Sequence, residues 1–153
     1  MYPEKFIAVM TINAIKGKKL PIYGDGKNVR DWIHVEEHCM GIDLVVQKGR
    51  VGETYLLGVN GERTNLEVVK TVLKILGKSD DIIEFIKDRP GHDRRYAIDS
   101  SKAQKELGFK PLYNFEEGLK QVIEWYQKNQ SWWERLLTKE YQEFYKKQYG
   151  QSN

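Results

Sequence analysis

Between Asp88 and Tyr96 the chain reads Asp-Arg-Pro-Gly-His-Asp-Arg-Arg-Tyr, with three arginines, a histidine and two aspartates around a Pro-Gly turn. A guanidinium is a planar fork of donors that matches phosphate oxygens in pairs, and a Pro-Gly turn fixes the backbone so that neighbouring side chains and amides converge on an anion. The same residues also compose a solvated loop with local ion pairs, and composition does not choose between the two. A second polar knot, Gly24-Asp25-Gly26-Lys27-Asn28-Val29-Arg30-Asp31-Trp32, delivers Arg30 from a glycine-punctuated turn beside an aromatic residue. Arg30 could clamp a phosphate, although spacing alone favours a surface arginine paired with Asp31 or stacked on Trp32.

These knots need elements to hold them. Phe6, Ile7, Val9, Met10, Ile12, Ala14 and Ile15 predict a helix from Pro3 to Lys16 that is apolar almost all round, with Pro3 in its first turn and Gly17 as its stop. Leu20 to Tyr23 reads as a short strand and Trp32 to Val35 as another extended piece, followed by a helix to about Lys48. Thr54 to Leu57, between Gly52 and Gly58, has the look of a buried strand. Thr64 with Glu67 makes a capping box for a helix from Asn65 to Leu76, stopped by Gly77, and Ile82 to Ile86 reads as a strand. Ser101 with Gln104 starts a short helix ending at Gly108. Asn114 with Glu117 starts a longer one, with Leu119, Val122, Ile123 and Tyr126 as its apolar stripe. From Ser131 to Tyr149 seven aromatic and apolar residues recur at helical spacing, which reads as packing.

A chain of 153 residues with 40% hydrophobic content can bury one core, and disorder is expected only over Gly150 to Asn153. Its 25 basic and 22 acidic residues interleave, and Glu134, Glu140 and Glu143 dilute the basic tail, which argues against nucleic acid as a partner. No apolar run is long enough for a membrane span and no signal-peptide pattern opens the chain, so neither membrane nor secretion is expected. The single Cys39 lies in an apolar periodic stretch and reads as a buried structural thiol of a cytoplasmic protein.

The segments Leu20-Pro21-Ile22-Tyr23-Gly24 and Arg30-Asp31-Trp32-Ile33-His34-Val35-Glu36-Glu37-His38, then Gly52-Glu53-Thr54-Tyr55 and Thr64-Asn65-Leu66, resemble the sugar-nucleotide epimerases and dehydratases of the extended short-chain dehydrogenase/reductase superfamily. The run from Asp88 to Tyr96 with Ala97-Ile98-Asp99 is narrower and looks like the signature of the dTDP-glucose 4,6-dehydratases. The resemblance is collinear from Tyr2 to the aromatic tail. It implies an α/β fold of which this chain is the C-terminal substrate-binding portion over residues 1–153, mainly helices with short strands, without the N-terminal Rossmann part. It also implies that Lys5, Phe6, Pro21, Ile22, Tyr23, Arg30, Asn65, Asp88, Arg89, Pro90, Gly91 and His92 contact a dTDP-sugar substrate. Read as residues only, Asn65 is a helix-terminus residue beside the cap Thr64, and Lys5 a first-turn surface residue.

In enzymes of this kind one NAD takes a hydride at C4 of the sugar and returns it at C6 after water is lost. That requires a Gly-x-x-Gly-x-x-Gly loop between a strand and a helix, which the glycines at 24 and 26, 49 and 52, and 58 and 61 do not provide. It also requires a tyrosine four residues before a lysine on one helix face. Tyr23 and Lys27 have that spacing, but Gly24-Asp25-Gly26 between them breaks a helix, so no catalytic residue is expected here. The resemblance therefore implies a chain inactive by itself that binds no NAD alone, although the parent enzyme uses NAD. Surface left bare over Val35 to Lys48 and Thr54 to Leu57 is expected to drive self-association. An epimerase, decarboxylase or other dehydratase fragment, or a non-catalytic nucleotide-sugar-binding module, are the alternatives, and dTDP is not distinguished from UDP.

Overall fold

The computed structural model describes residues 5–150. Pro3, expected in the first helical turn, and the tail beyond Gly150 lie outside the described residues. Helix α1 (Phe6–Ile15) buries Val9, Met10, Ile12 and Ala14, as its all-round apolar composition requires. It stops at Gly17, whose φ of 67° is left-handed and lets Lys18 N–H donate back to Asn13 O at 2.9 Å. Strand β1 (Leu20–Tyr23) follows, and after a glycine turn β2 (Val29–Asp31) leads to α2 (Val35–Lys48). Strand β3 (Glu62–Thr64) runs straight into α3 (Asn65–Leu76), and a short 3-10 turn precedes β4 (Ile83–Ile86). Four helices complete the chain: α4 (Ser101–Leu107), α5 (Phe115–Lys128), α6 (Gln130–Glu134) and α7 (Lys139–Tyr149).

Two small sheets result. In one, β1 and β4 pair in parallel from Leu20 opposite Ile83 to Tyr23 opposite Ile86, so both strands end at the same edge. In the other, β2 and β3 pair antiparallel with Arg30 opposite Arg63, and Val29 also bridges Arg95. The main core joins α1, β1, α3 and α5 through residues such as Met10, Ile22, Val69, Leu73 and Ile123. A smaller cluster of Ala103, Leu107 and Phe109 lies under Leu44, Tyr55 and Leu57. Helix α3 has the expected box: Thr64 Oγ1 accepts from Glu67 N–H at 3.2 Å while Glu67 Oε2 accepts from Thr64 N–H at 2.7 Å. Among the described residues no helix is long and apolar enough to cross a membrane.

Several expectations shift. Pairing occupies Val29–Asp31 rather than Trp32 to Val35; past it Trp32 N–H reaches Gly61 O only at 3.4 Å, while the Asp31 carboxylate accepts from Val59 and Gly61 N–H at 3.2 and 2.8 Å. Thr54 to Leu57 is irregular, not a strand; among the described residues no strand lies beside it. Side chains hold it instead, with Tyr55 O–H donating to Glu106 at 2.9 Å and Lys102 Nζ to Thr54 O at 3.0 Å, and Leu56 is exposed. Leu57 lies so close to α2 that a Cβ on Gly41 would stand 2.7 Å from it, which accounts for a glycine within a helix. The cap of α4 is Ser100 rather than Ser101, and Asp99 accepts from Ser101 N–H at 2.9 Å. Cys39 is exposed, because it sits on the uncovered side of α2. The aromatic tail breaks into two helices at Thr138, whose hydroxyl accepts from Tyr141 N–H and starts α7.

Candidate functional site

The carboxyl ends of a parallel strand pair are where α/β proteins place ligands, because the chain leaves both strands there in loops that are free to vary. Here those ends are Tyr23 on β1 and, two residues past β4, Asp88. They converge. Asp88 Oδ1 lies 2.6 Å from His92 Nδ1 and accepts from Arg89 N–H at 2.8 Å. The Arg89 guanidinium lies over the Tyr23 ring at 5.2 Å, and the His92 ring meets Tyr23 edge-on at 5.8 Å. The His92 bond, and then the Arg89 amide, hold the Asp88 carboxyl below the usual range against the opposing effect of burial. Gly91, at φ 67°, makes the tight turn that returns His92 toward Asp88, and Pro90 stands exposed beside it.

The glycine-punctuated knot meets this loop through one backbone carbonyl. Asp93 O accepts from Asn28 Nδ2 at 3.1 Å and from Arg30 Nη2 at 2.8 Å. Arg30 also lies over the Tyr96 ring at 4.1 Å. It is therefore neither paired with Asp31 nor stacked on Trp32. Asn65 is 7% exposed at the head of α3, where its N–H donates to Asn28 O and the next amide to Gly26 O, both at 3.0 Å. Among the described residues only Asn28 Oδ1 and Thr11 Oγ1 are buried side-chain polar atoms without a partner.

The arginines of the run divide. Arg94 forms a two-point ion pair with Asp25 at 2.7 and 3.0 Å, which holds the Asp25 carboxyl far below its usual range, and Arg95 forms one with Glu62 at 2.7 and 2.8 Å. Arg89 has no such carboxylate partner among the described residues. Pro21 and Ile22 are buried in β1, Ile22 within the core, so only their backbone could meet a ligand. Lys5 is exposed at the head of α1, while Phe6 packs on Trp32 at 5.9 Å between centroids. No hydrogen bond or ring contact joins either to the Tyr23 cluster among the described residues.

Sequence reasoning missed two members of the cluster. Gln148 Nε2 donates to the Tyr23 hydroxyl at 2.6 Å, and the Tyr149 ring lies 5.8 Å from that of Tyr23. Burial pushes the Tyr149 hydroxyl far up, so it stays neutral. The four-residue spacing of Tyr141, Tyr145 and Tyr149 was the available signal, and it reads equally well as packing. A cavity of about 920 Å³ lies elsewhere, between α1, the start of α2 and α5, walled by Trp32, Tyr113, Phe115, Trp125 and Trp132. None of the expected site residues lines it; its charged lining residues are Glu36, Glu37 and Arg63, and its walls are otherwise largely aromatic and apolar.

Comparison with known proteins bears on these observations. A family model described as GDP-mannose 4,6 dehydratase matches residues 1–122. A dTDP-glucose 4,6-dehydratase of Xanthomonas campestris is 48% identical over 149 residues, covering 92% of this chain and 42% of that protein. The chain thus spans well under half the length of the curated relatives it matches. The crystal structure of dTDP-glucose 4,6-dehydratase from Bacillus anthracis in complex with NAD superposes with a TM-score of 0.84 at 54% identity, covering 89% of this chain and 43% of that one. That of the Streptomyces venezuelae dTDP-glucose 4,6-dehydratase, with NAD and dTDP bound, gives 0.85 at 43% identity over 89% and 42%. The chain belongs to the GDP-mannose 4,6 dehydratase family and corresponds to the C-terminal portion of an extended short-chain dehydrogenase/reductase.

Proposed function

We propose that residues 1–153 form one substrate-binding unit of a dTDP-glucose 4,6-dehydratase, the enzyme that converts dTDP-glucose to dTDP-4-keto-6-deoxyglucose and water with NAD as hydride carrier. The observation that carries this reading is the meeting of Tyr23, Arg89 and His92 at the carboxyl ends of β1 and β4. Arg89 and His92 would face the diphosphate, Arg30 would add a second guanidinium, and Tyr23 with Tyr149 would offer aromatic faces. Lys5, Phe6, the backbone of Pro21 and Ile22, Asn65 and the turn Asp88 to Gly91 would complete the contacts. The names of the similar proteins support the dTDP-sugar as ligand, and we place the protein in the cytoplasm.

Among the described residues no strand-to-helix turn carries the glycine spacing of a dinucleotide cradle. The head of α3 is closed by its own box and by Gly26 O, that of α2 by its His34–Glu37 box. These residues do not fit NAD. The chain alone is accordingly read as a binder without turnover.

Calorimetric titration with dTDP-glucose tests the reading, and binding lost in Arg30→Ala and Arg89→Ala is the expected result. UDP-glucose should bind up to about fivefold more weakly if the thymine methyl is buried, the worth of one methyl group. Absence of binding by an intact folded chain would sink the proposal.

A further inference from the structure

The His92 ring is nearly enclosed, its side chain 7% exposed, and its Nδ1 stands 2.6 Å from Asp88 Oδ1. An ionised carboxylate only accepts hydrogen bonds, so the proton in that contact is on Nδ1. Neutral imidazole has a single ring proton, so Nε2 then bears a lone pair. Among the described residues nothing takes Nε2, and it is not one of the two buried unpartnered side-chain atoms, so solvent or a ligand reaches it. Asp88 lies close against Gly24, where a Cβ would stand 2.9 Å from its Oδ2, and its Oδ1 also accepts from Arg89 N–H. The groups around the ring are Asp88 and Arg89 from its own loop and Tyr23 from β1, with Tyr149 of α7 against Tyr23.

A lone pair aimed at a phosphate oxygen is repulsive, whereas an Nε2–H donor is a strong charge-assisted contact. We propose that Asp88 is a positioning residue that holds His92 with its proton on Nδ1, so that His92 grips the ligand's diphosphate only after Nε2 takes up a second proton from solvent. Ligand binding is thereby coupled to the uptake of one proton. This rests on the reading of the chain as a diphosphate-sugar binder.

The test is calorimetry of dTDP-glucose binding to the whole chain at pH 8 in two buffers of different ionisation heat. The ligand's diphosphate is doubly esterified and has no proton that titrates there. A buffer-dependent heat corresponding to uptake of about one proton, absent in His92→Gln, is expected. Asp88→Asn should weaken binding about tenfold at pH 8 while leaving the far-ultraviolet spectrum unchanged. Long-range proton–nitrogen correlation of the histidine rings gives an arm that needs no ligand: His92 protonated on Nε2 alone would overturn the inference. Equal heats in both buffers from pH 6 to 8.5, with binding intact, would overturn it and leave the nucleotide-sugar reading standing. Failure to bind at any pH would remove that reading and the inference with it.

Discussion

Arg94 and Asp25 meet through two hydrogen bonds of 2.7 and 3.0 Å, tying the loop after β4 to the turn after β1. With Arg95 joined to Glu62 in the same way, two of the three arginines between Asp88 and Tyr96 are committed to carboxylates before any ligand arrives. Arg89→Ala should therefore weaken dTDP-glucose binding by about tenfold or more, and Arg94→Ala or Arg95→Ala by no more than about threefold, in calorimetric titrations. Equal losses in all three would mean that the ion pairs open on binding.

Gly24 has a φ of 57°, and a side chain there would collide with the Asp88 carboxylate. Gly24→Ala should cost about 1–3 kcal/mol in denaturant unfolding, from the left-handed backbone together with the displaced Asp88. It should also weaken ligand binding, since Asp88 and His92 move together.

Glu37 is 2% exposed and accepts from Leu112 and Tyr113 N–H at 2.6 and 2.9 Å and from His34 N–H at 3.0 Å, fastening the head of α2 to the start of α5. Glu37→Ala leaves those amides without their acceptor and should lower unfolding free energy by about 2–4 kcal/mol in urea melts. Glu37→Gln, which keeps one acceptor oxygen, should lose less.

The sign of the acid response follows from the carboxylates. Side-chain bonds hold Asp25, Glu67, Asp88 and Glu106 below their unfolded values of 3.8 or 4.5, to Arg94, Thr64, His92 and Tyr55 respectively. Groups whose folded value is depressed stabilise the fold fully above the unfolded value, and the contribution is lost as pH falls through the folded one. Thermal melts should thus show a midpoint level above about pH 5 and falling below about pH 4. The buried hydroxyls of Tyr126, Tyr145 and Tyr149, all raised, add a loss above about pH 10.

Helix α2 and the segment after it expose Val35, Met40, Ile42, Val46, Val51 and Leu56. Sedimentation should show concentration-dependent association of the chain, reduced in Ile42→Glu/Val46→Lys. A clean monomer that binds no apolar dye would contradict this.

Local signals were legible in the sequence wherever the physics is local. The Thr64–Glu67 box and the stop at Gly77 mark α3 to the residue, and Gly17 marks the end of α1. Thr54 to Leu57 was misread because an apolar run becomes a strand only beside a partner, and a partner is not written into the run. Within the site, the resemblance named Tyr23, Arg89 and His92, and the fold brings them into contact. It could not say that Arg94 and Arg95 face carboxylates at Asp25 and Glu62, which lie 69 and 33 residues away. Nor could helical spacing in the tail show that Gln148 ends against the Tyr23 hydroxyl.

The contact between Gln148 and Tyr23 spans 125 residues. During synthesis β1 has no strand partner until Ile83–Ile86 follows, and the Tyr23 hydroxyl and ring lack Gln148 and Tyr149 until α7 is out of the ribosome. The aromatic wall of the site is thus assembled after both strands of its sheet. A nascent chain stalled before Gln148 would leave the Tyr23 hydroxyl without its Gln148 partner and its ring without Tyr149.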